Sequence, residues 1–196
     1  MKNYTNSIVN ICLLIAALST FVSCKKDDKD VASPVNPNET ELVTTVKLII
    51  KPVSNTAAEM YASYRDLDGD GGNAPIIDTI RLDANTEYHV QVLVLDETKN
   101  PVDTTSKEIE AEKDEHQFFY SKIGTYELTT NYLDFDDNNV PVGLSMNIQT
   151  GSAFVQKTNK LQVVLKHQPG LKPITGNGNA SLGETDLEVN FPILVK

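Results

Sequence analysis

Glu87-Tyr88-His89-Val90-Gln91-Val92-Leu93-Val94-Leu95 is the stretch that decides the fold class. On an extended chain Tyr88, Val90, Val92 and Val94 fall on one side, and His89, Gln91 and two leucines on the other. A period of two with β-branched and aromatic residues on the repeating side marks a strand that buries one face. Working outward, Val46, Leu48 and Ile50 alternate with Thr45 and Lys47. Downstream, Tyr126, Leu128, Thr130 and Tyr132 alternate with Glu127, Thr129 and Asn131. The series Leu144/Met146/Ile148, Leu161/Val163/Leu165 and Leu187/Val189/Phe191/Ile193 repeats the pattern to the C-terminal side. Strands are expected near 42–51, 58–66, 76–82, 87–96, 116–120, 126–135, 143–149, 160–167 and 185–194, with turns rich in Gly, Asn, Asp and Pro between them. Many short strands of this kind predict an all-β domain over residues 42–196, an antiparallel immunoglobulin-like β-sandwich, with a closed barrel as the alternative. Residues 106–115 are helix-forming by propensity but carry few apolar positions, so a strand or charged connection is expected there.

The N-terminal segment sets a different context. Lys2 is followed by the apolar run Ile11-Cys12-Leu13-Leu14-Ile15-Ala16-Ala17-Leu18 and by small residues up to Ser23. The run is shorter than the roughly 20 apolar residues that span a bilayer, and the layout is that of a secretory signal. Its end, Phe21-Val22-Ser23-Cys24, resembles the lipobox of bacterial lipoproteins, with Phe21 standing where leucine is usual. That resemblance implies a signal peptide over 1–23 and a lipid-carrying (palmitate-type) Cys24. Lys25-Lys26-Asp27-Asp28-Lys29-Asp30 and the Pro/Asn-rich residues up to 41 have no hydrophobic period, so 24–41 is expected to be a disordered tether. Lys26-Asp27-Asp28 resembles the acidic signal that sends some lipoproteins to the outer face of the outer membrane.

Composition narrows the function. Cleavage before Cys24 leaves 173 residues with 16 Lys and Arg against 27 Asp and Glu, a net charge of −11. Such a surface disfavours nucleic acid as a partner, because both are anionic. Cys12 and Cys24 are the only cysteines, so a mature domain beyond Cys24 has no disulfide, thiolate nucleophile or cysteine metal site. Tryptophan is absent, and the core must rest on Val, Ile, Leu, Phe and Tyr.

One internal echo draws attention to acidic loops. Tyr64-Arg65-Asp66-Leu67-Asp68-Gly69-Asp70 returns as Tyr132-Leu133-Asp134-Phe135-Asp136-Asp137-Asn138, each copy ending a strand with a proline beyond it. Two matching hairpins at one end of the sandwich are expected. Asp66, Asp68 and Asp70, and likewise Asp134, Asp136 and Asn138, place oxygen ligands at alternate positions, as calcium requires. The twelfth position from Asp66 is Ile77, so the bidentate glutamate of an EF-hand is missing and only weak calcium binding is expected. The competing role is Asx-turn formation at hairpin ends.

The remaining chemistry is sparse. His89, His116 and His167 show no His-x-His or His-x-x-x-His spacing; they read as structural, with His116 expected in a solvated turn. There is no G-x-S-x-G, and the glycines near 69–73 open no helix that would cradle phosphate. Glu184 and Asp186 sit two apart on one strand, side by side rather than across a cleft. No catalytic set emerges, and a non-enzymatic role is expected.

Asp114-Glu115-His116-Gln117-Phe118-Phe119-Tyr120, Pro141-Val142-Gly143, His167-Gln168-Pro169 and Gly183-Glu184-Thr185-Asp186 resemble a family of small bacterial surface lipoproteins. The resemblance covers most of the domain and implies lipid anchoring and a shared sandwich, but no activity. The expected function is therefore a membrane-anchored, surface-exposed module that binds or presents a protein or glycan. The alternative is an accessory carrier of haem, metal or glycan for an outer-membrane transporter, which would gather Tyr61, Phe119, Tyr120 and Phe135 at one exposed spot.

Overall fold

The structure, a computed structural model, describes residues 42–54, 58–69 and 71–196. The signal segment, Cys24, the tether and Asp70 lie outside the described residues. Within them, alternation becomes ten strands: β1 (Thr45–Pro52), β2 (Met60–Arg65), β3 (Ile76–Ile77), β4 (Ile80–Leu82), β5 (Glu87–Leu95), β6 (His116–Ile123), β7 (Leu128–Tyr132), β8 (Ser145–Thr150), β9 (Lys160–His167) and β10 (Glu184–Val195). They form a six-stranded sheet, β3-β2-β1-β5-β8-β7, and a four-stranded sheet, β4-β10-β9-β6. β10 pairs with β4 in parallel, while every other strand pair among the described residues is antiparallel. The arrangement is an all-β, two-layer sandwich, divided six and four where a constant-type immunoglobulin domain has four and three.

The alternating residues supply the core. Val46, Leu48 and Ile50 of β1 and Tyr88, Val90, Val92 and Val94 of β5 join Leu161, Val163 and Leu165 of β9 and the inward residues of β10 in one buried cluster. Each such aliphatic side chain withdrawn from water contributes about 1.5–3 kcal/mol. Polar positions on the same strands, such as Gln91 and Lys51, stay exposed.

Two local expectations are corrected. Residues 76–82 are not one strand: β3 closes the edge of the larger sheet and β4 joins the smaller one, with Asp78 and Thr79 carrying the chain across. Asp78 fixes that crossing, accepting the Ser63 amide at 3.0 Å and the Ser63 hydroxyl at 2.6 Å on one carboxylate oxygen. Residues 105–111 are helical, forming α1 (Thr105–Ala111). Although the segment has few apolar positions, Ile109 is fully buried in the common core, and one well-placed anchor is enough to dock two turns.

Register brings both acidic hairpin tips to one end of the larger sheet. β2 ends at Arg65 opposite the start of β1, and β7 ends at Tyr132 opposite the start of β8. β2 and β7 are separated by β1, β5 and β8. At about 4.8 Å per strand, the tips are about 19 Å apart and cannot share one ion.

Candidate functional site

The aspartates of the second tip are structural anchors for their own loop. Asp134 accepts the amides of Gly143 at 3.0 Å, Leu144 at 2.8 Å and Ser145 at 3.1 Å, tying the end of β7 to the start of β8. Gly143 has φ +90°, and a Cβ there would meet the side chain and backbone of Phe118, so the loop closes only with glycine. Asp136 accepts the amides of Asn138 at 2.9 Å and Val140 at 2.8 Å. Its second oxygen lies 3.0 Å from Lys172 Nζ, with both side chains buried. Asn138 itself is exposed.

The first tip is built in the same idiom. Asp66 accepts the Gly69 amide at 2.9 Å. Asp68 accepts the Asn73 amide at 2.9 Å and its side-chain amide at 2.6 Å, which hold the Asp68 carboxyl below its ordinary range. These aspartates act as turn formers, the role that competes with calcium. Among the described residues neither tip brings three carboxylate or imidazole ligand atoms within 4.8 Å of one another. At Asp136 the mutual repulsion that would draw in a cation is already answered by Lys172.

Beneath the second tip lies a buried polar layer that sequence reading missed. Lys172 donates from Nζ to the carbonyls of Lys113 at 2.6 Å and His116 at 2.9 Å, besides its ion pair. Burial pushes its pKa down, and Asp136 opposes that shift. Gln117 donates to the Asn177 carbonyl at 2.9 Å, and Gln168 to the carbonyls of Asn179 at 2.7 Å and Leu182 at 2.9 Å. Together these side chains pin the β9–β10 connection against the start of β6.

His116 is not in a solvated turn. It is the first residue of β6, fully buried, and directly opposite His167, the last residue of β9. Their rings stack at 4.5 Å between centroids with planes 2° apart. The Glu112 carbonyl lies 3.2 Å from His116 Nδ1, which fixes that nitrogen as the donor. Glu115 Oε2 stands 3.6 Å from His167 Nε2. His89, by contrast, sits on the outer sheet face with Nε2 2.9 Å from the Ser145 hydroxyl. Glu184 and Asp186 begin β10, with a register shift between Thr185 and Leu187.

A groove of ≈ 580 Å³ runs between α1 and the 134–145 loop. Ile49 and Leu93, from the outward face of β1 and β5, join Phe135 and Leu144 as its apolar lining. Lys107 and Glu110 of α1, with Lys113 and Asp134, form a rim of balanced charge. Lys113 is tied to Asp137, and that partner raises its pKa. A second groove of ≈ 610 Å³ follows the β3–β4 crossing and includes Tyr61.

The four aromatic residues do not gather at one spot. Tyr61 lines the second groove and Phe135 the first. Tyr120 is turned into the core region, its ring near Phe118 and Tyr132 and its hydroxyl donating to the Gly143 carbonyl. Burial raises the pKa of Tyr120 and pushes that of Tyr132 up to about 12, so both remain hydroxyl donors at neutral pH. Phe119, half-buried on β6, belongs to neither groove. No protein family, curated protein or solved structure matches this chain.

Proposed function

We propose that this protein is a lipid-anchored, surface-displayed binding module with no catalytic role, taking ligand in the groove between α1 and the 134–145 loop. The observation that carries the reading is Phe21-Val22-Ser23-Cys24 followed at once by a charged run. An acylated cysteine and a tether give an anchor, and the sandwich gives a rigid platform for loops at one end. The groove supports the binding half of the proposal. Half-exposed Phe135 and a mixed-charge rim suit a ligand with one apolar face, such as an extended peptide or a glycan. The separation of Tyr61 from Phe135 gives no support to a single aromatic-lined pocket of the carrier kind.

The anchor is tested by Cys24→Ala. A buried acyl chain contributes about 0.8 kcal/mol per methylene, so the native protein should fractionate with membranes. The variant should move to the soluble fraction or stall unprocessed. Identical fractionation and identical mature mass in both proteins would refute the lipoprotein reading. Protease added to intact cells then reads display, which neutralising Lys26-Asp27-Asp28 should diminish.

A further inference from the structure

We infer that Glu112, His116 and His167 form a binding site for a single divalent transition-metal ion, with zinc as the reference ion. Each offers one ligand atom, and those three atoms lie within 4.8 Å of one another. It is the one such cluster of His, Cys, Asp or Glu among the described residues. The site uses none of the proposed groove residues, so it stands or falls separately from the binding reading.

The arrangement follows from register. β6 and β9 are both eight residues long and pair over their full length, which sets the first residue of one against the last of the other. Both of those residues are histidines. Glu112, the residue that caps α1, is four positions before His116, and its carboxylate reaches back to within 4.0 Å of His116 Nδ1, on the same ring as the ligating Nε2. Two imidazoles and a carboxylate are the ligand set of an open zinc site, with the fourth position left for water or a further oxygen. Glu115, whose Oε2 is 3.6 Å from His167 Nε2, borders the cluster without belonging to it.

Burial separates this cluster from an ordinary acidic surface. His167 is about 95 % buried (5 % exposed), and its Nε2 has no hydrogen-bond partner. A buried ring nitrogen without a partner is costly, and a bound cation removes the cost. The side chains of Glu112 and Glu115 are 50 % and 41 % exposed, so an ion reaches the imidazoles from the solvent side. The Glu112 carbonyl against His116 Nδ1 is the type of outer contact that fixes the tautomer of a ligating histidine. Tetrahedral zinc with bonds of about 2.0–2.1 Å holds its ligand atoms about 3.4 Å apart. Stacked rings hold their lone pairs in parallel planes, so binding requires one imidazole to turn out of the stack and the ligand atoms to close from within 4.8 Å to about 3.4 Å.

The test uses the full chain in detergent solution, stripped of metal and titrated with zinc chloride by calorimetry, with cobalt(II) as the spectroscopic probe. One zinc per chain should bind with micromolar or tighter affinity, and cobalt should give the strong visible bands of a four-coordinate ion. Glu112→Gln is exposed and should leave folding intact while weakening zinc at least tenfold and erasing the four-coordinate spectrum. Glu110→Gln, on the exposed side of α1, should change neither. His167→Gln should abolish binding in any preparation that keeps the native circular dichroism; Glu112→Gln decides the matter should that variant fail to fold. The inference is overturned if the native protein binds zinc no better than Glu112→Gln, if Glu110→Gln weakens it equally, or if folded His167→Gln still binds.

Discussion

Lys172→Met isolates the buried ion pair under the 134–145 loop. The substitution keeps the length of the side chain and removes the ammonium. It deletes the 3.0 Å pair with Asp136 and the donations to the Lys113 and His116 carbonyls. The Lys172 and Asp136 side chains are only 2 % and 1 % exposed, so water cannot replace what is lost. Breaking a buried pair by removing one partner costs about 3–5 kcal/mol, because the other charge is left uncompensated. At about 2–4 °C per kcal/mol for a domain of this size, the melting temperature should fall by about 6–20 °C. The sharper expectation is an order. Asp136→Asn keeps the oxygen that accepts the Asn138 and Val140 amides while removing the buried charge. Adding it to Lys172→Met should therefore restore part of the lost stability. Urea unfolding of the two single variants and the double variant, compared at constant slope, gives the coupling directly. If Lys172→Met lies within about 1 kcal/mol of the native protein, or the double variant is no more stable than Lys172→Met, the pair does not hold this end of the sandwich.

Glu97 should govern part of the acid limb of stability. The Arg65 guanidinium (2.7 Å) and the Thr45 hydroxyl hold its carboxyl at about 2, below the ordinary 4.5. A carboxyl with a depressed folded pKa stabilises the fold above its unfolded value, and that contribution is lost as pH falls from about 4.5 to about 2. Glu97→Gln should flatten this stretch of the pH–stability curve; an unchanged curve would show the pair to be inert. Calcium gives a test at the hairpin tips: because their described carboxylates are engaged by amides and Lys172, millimolar calcium should leave the melting curve where a calcium chelator leaves it. A rise of several degrees, lost in Asp68→Asn with Asp136→Asn, would mean that the loops reopen to take the ion.

The strands were legible where one face of a segment is buried over four or more residues. β5 and β9 could be read from Tyr88–Val94 and Leu161–Leu165 because burial on one side leaves a period of two in the sequence. β3 and β4 could not be separated, because strands of two and three residues are too short to carry a period. α1 was missed because it buries only Thr105 and Ile109, and a single apolar residue has no periodicity. The acidic tips announced themselves as turns, but the identity of Asp136's partner was hidden 36 positions away in a connection with no regular structure. The histidine pair was concealed for a similar reason. Spacing rules look for ligands along one element, whereas His116 and His167 meet only through the pairing of β6 with β9. The clue available beforehand was a histidine at the outer end of each of two strand segments.

The position of β10 has a consequence for the order of folding. It follows every other strand in the chain, yet it lies inside the smaller sheet, between β4 and β9. The six strands of the larger sheet all come from residues 45–150 and can pair among themselves as soon as those residues are available. The smaller sheet cannot: until residues 184–195 arrive, β4 has no neighbour, and the inner face of the larger sheet lacks the β10 part of its cover. Closure thus depends on contacts spanning more than a hundred residues between β4 and β10, which form slowly because a long loop must first be closed. A chain emerging from its N-terminal end would complete its larger sheet early and keep the smaller one unfinished until its final strand had emerged.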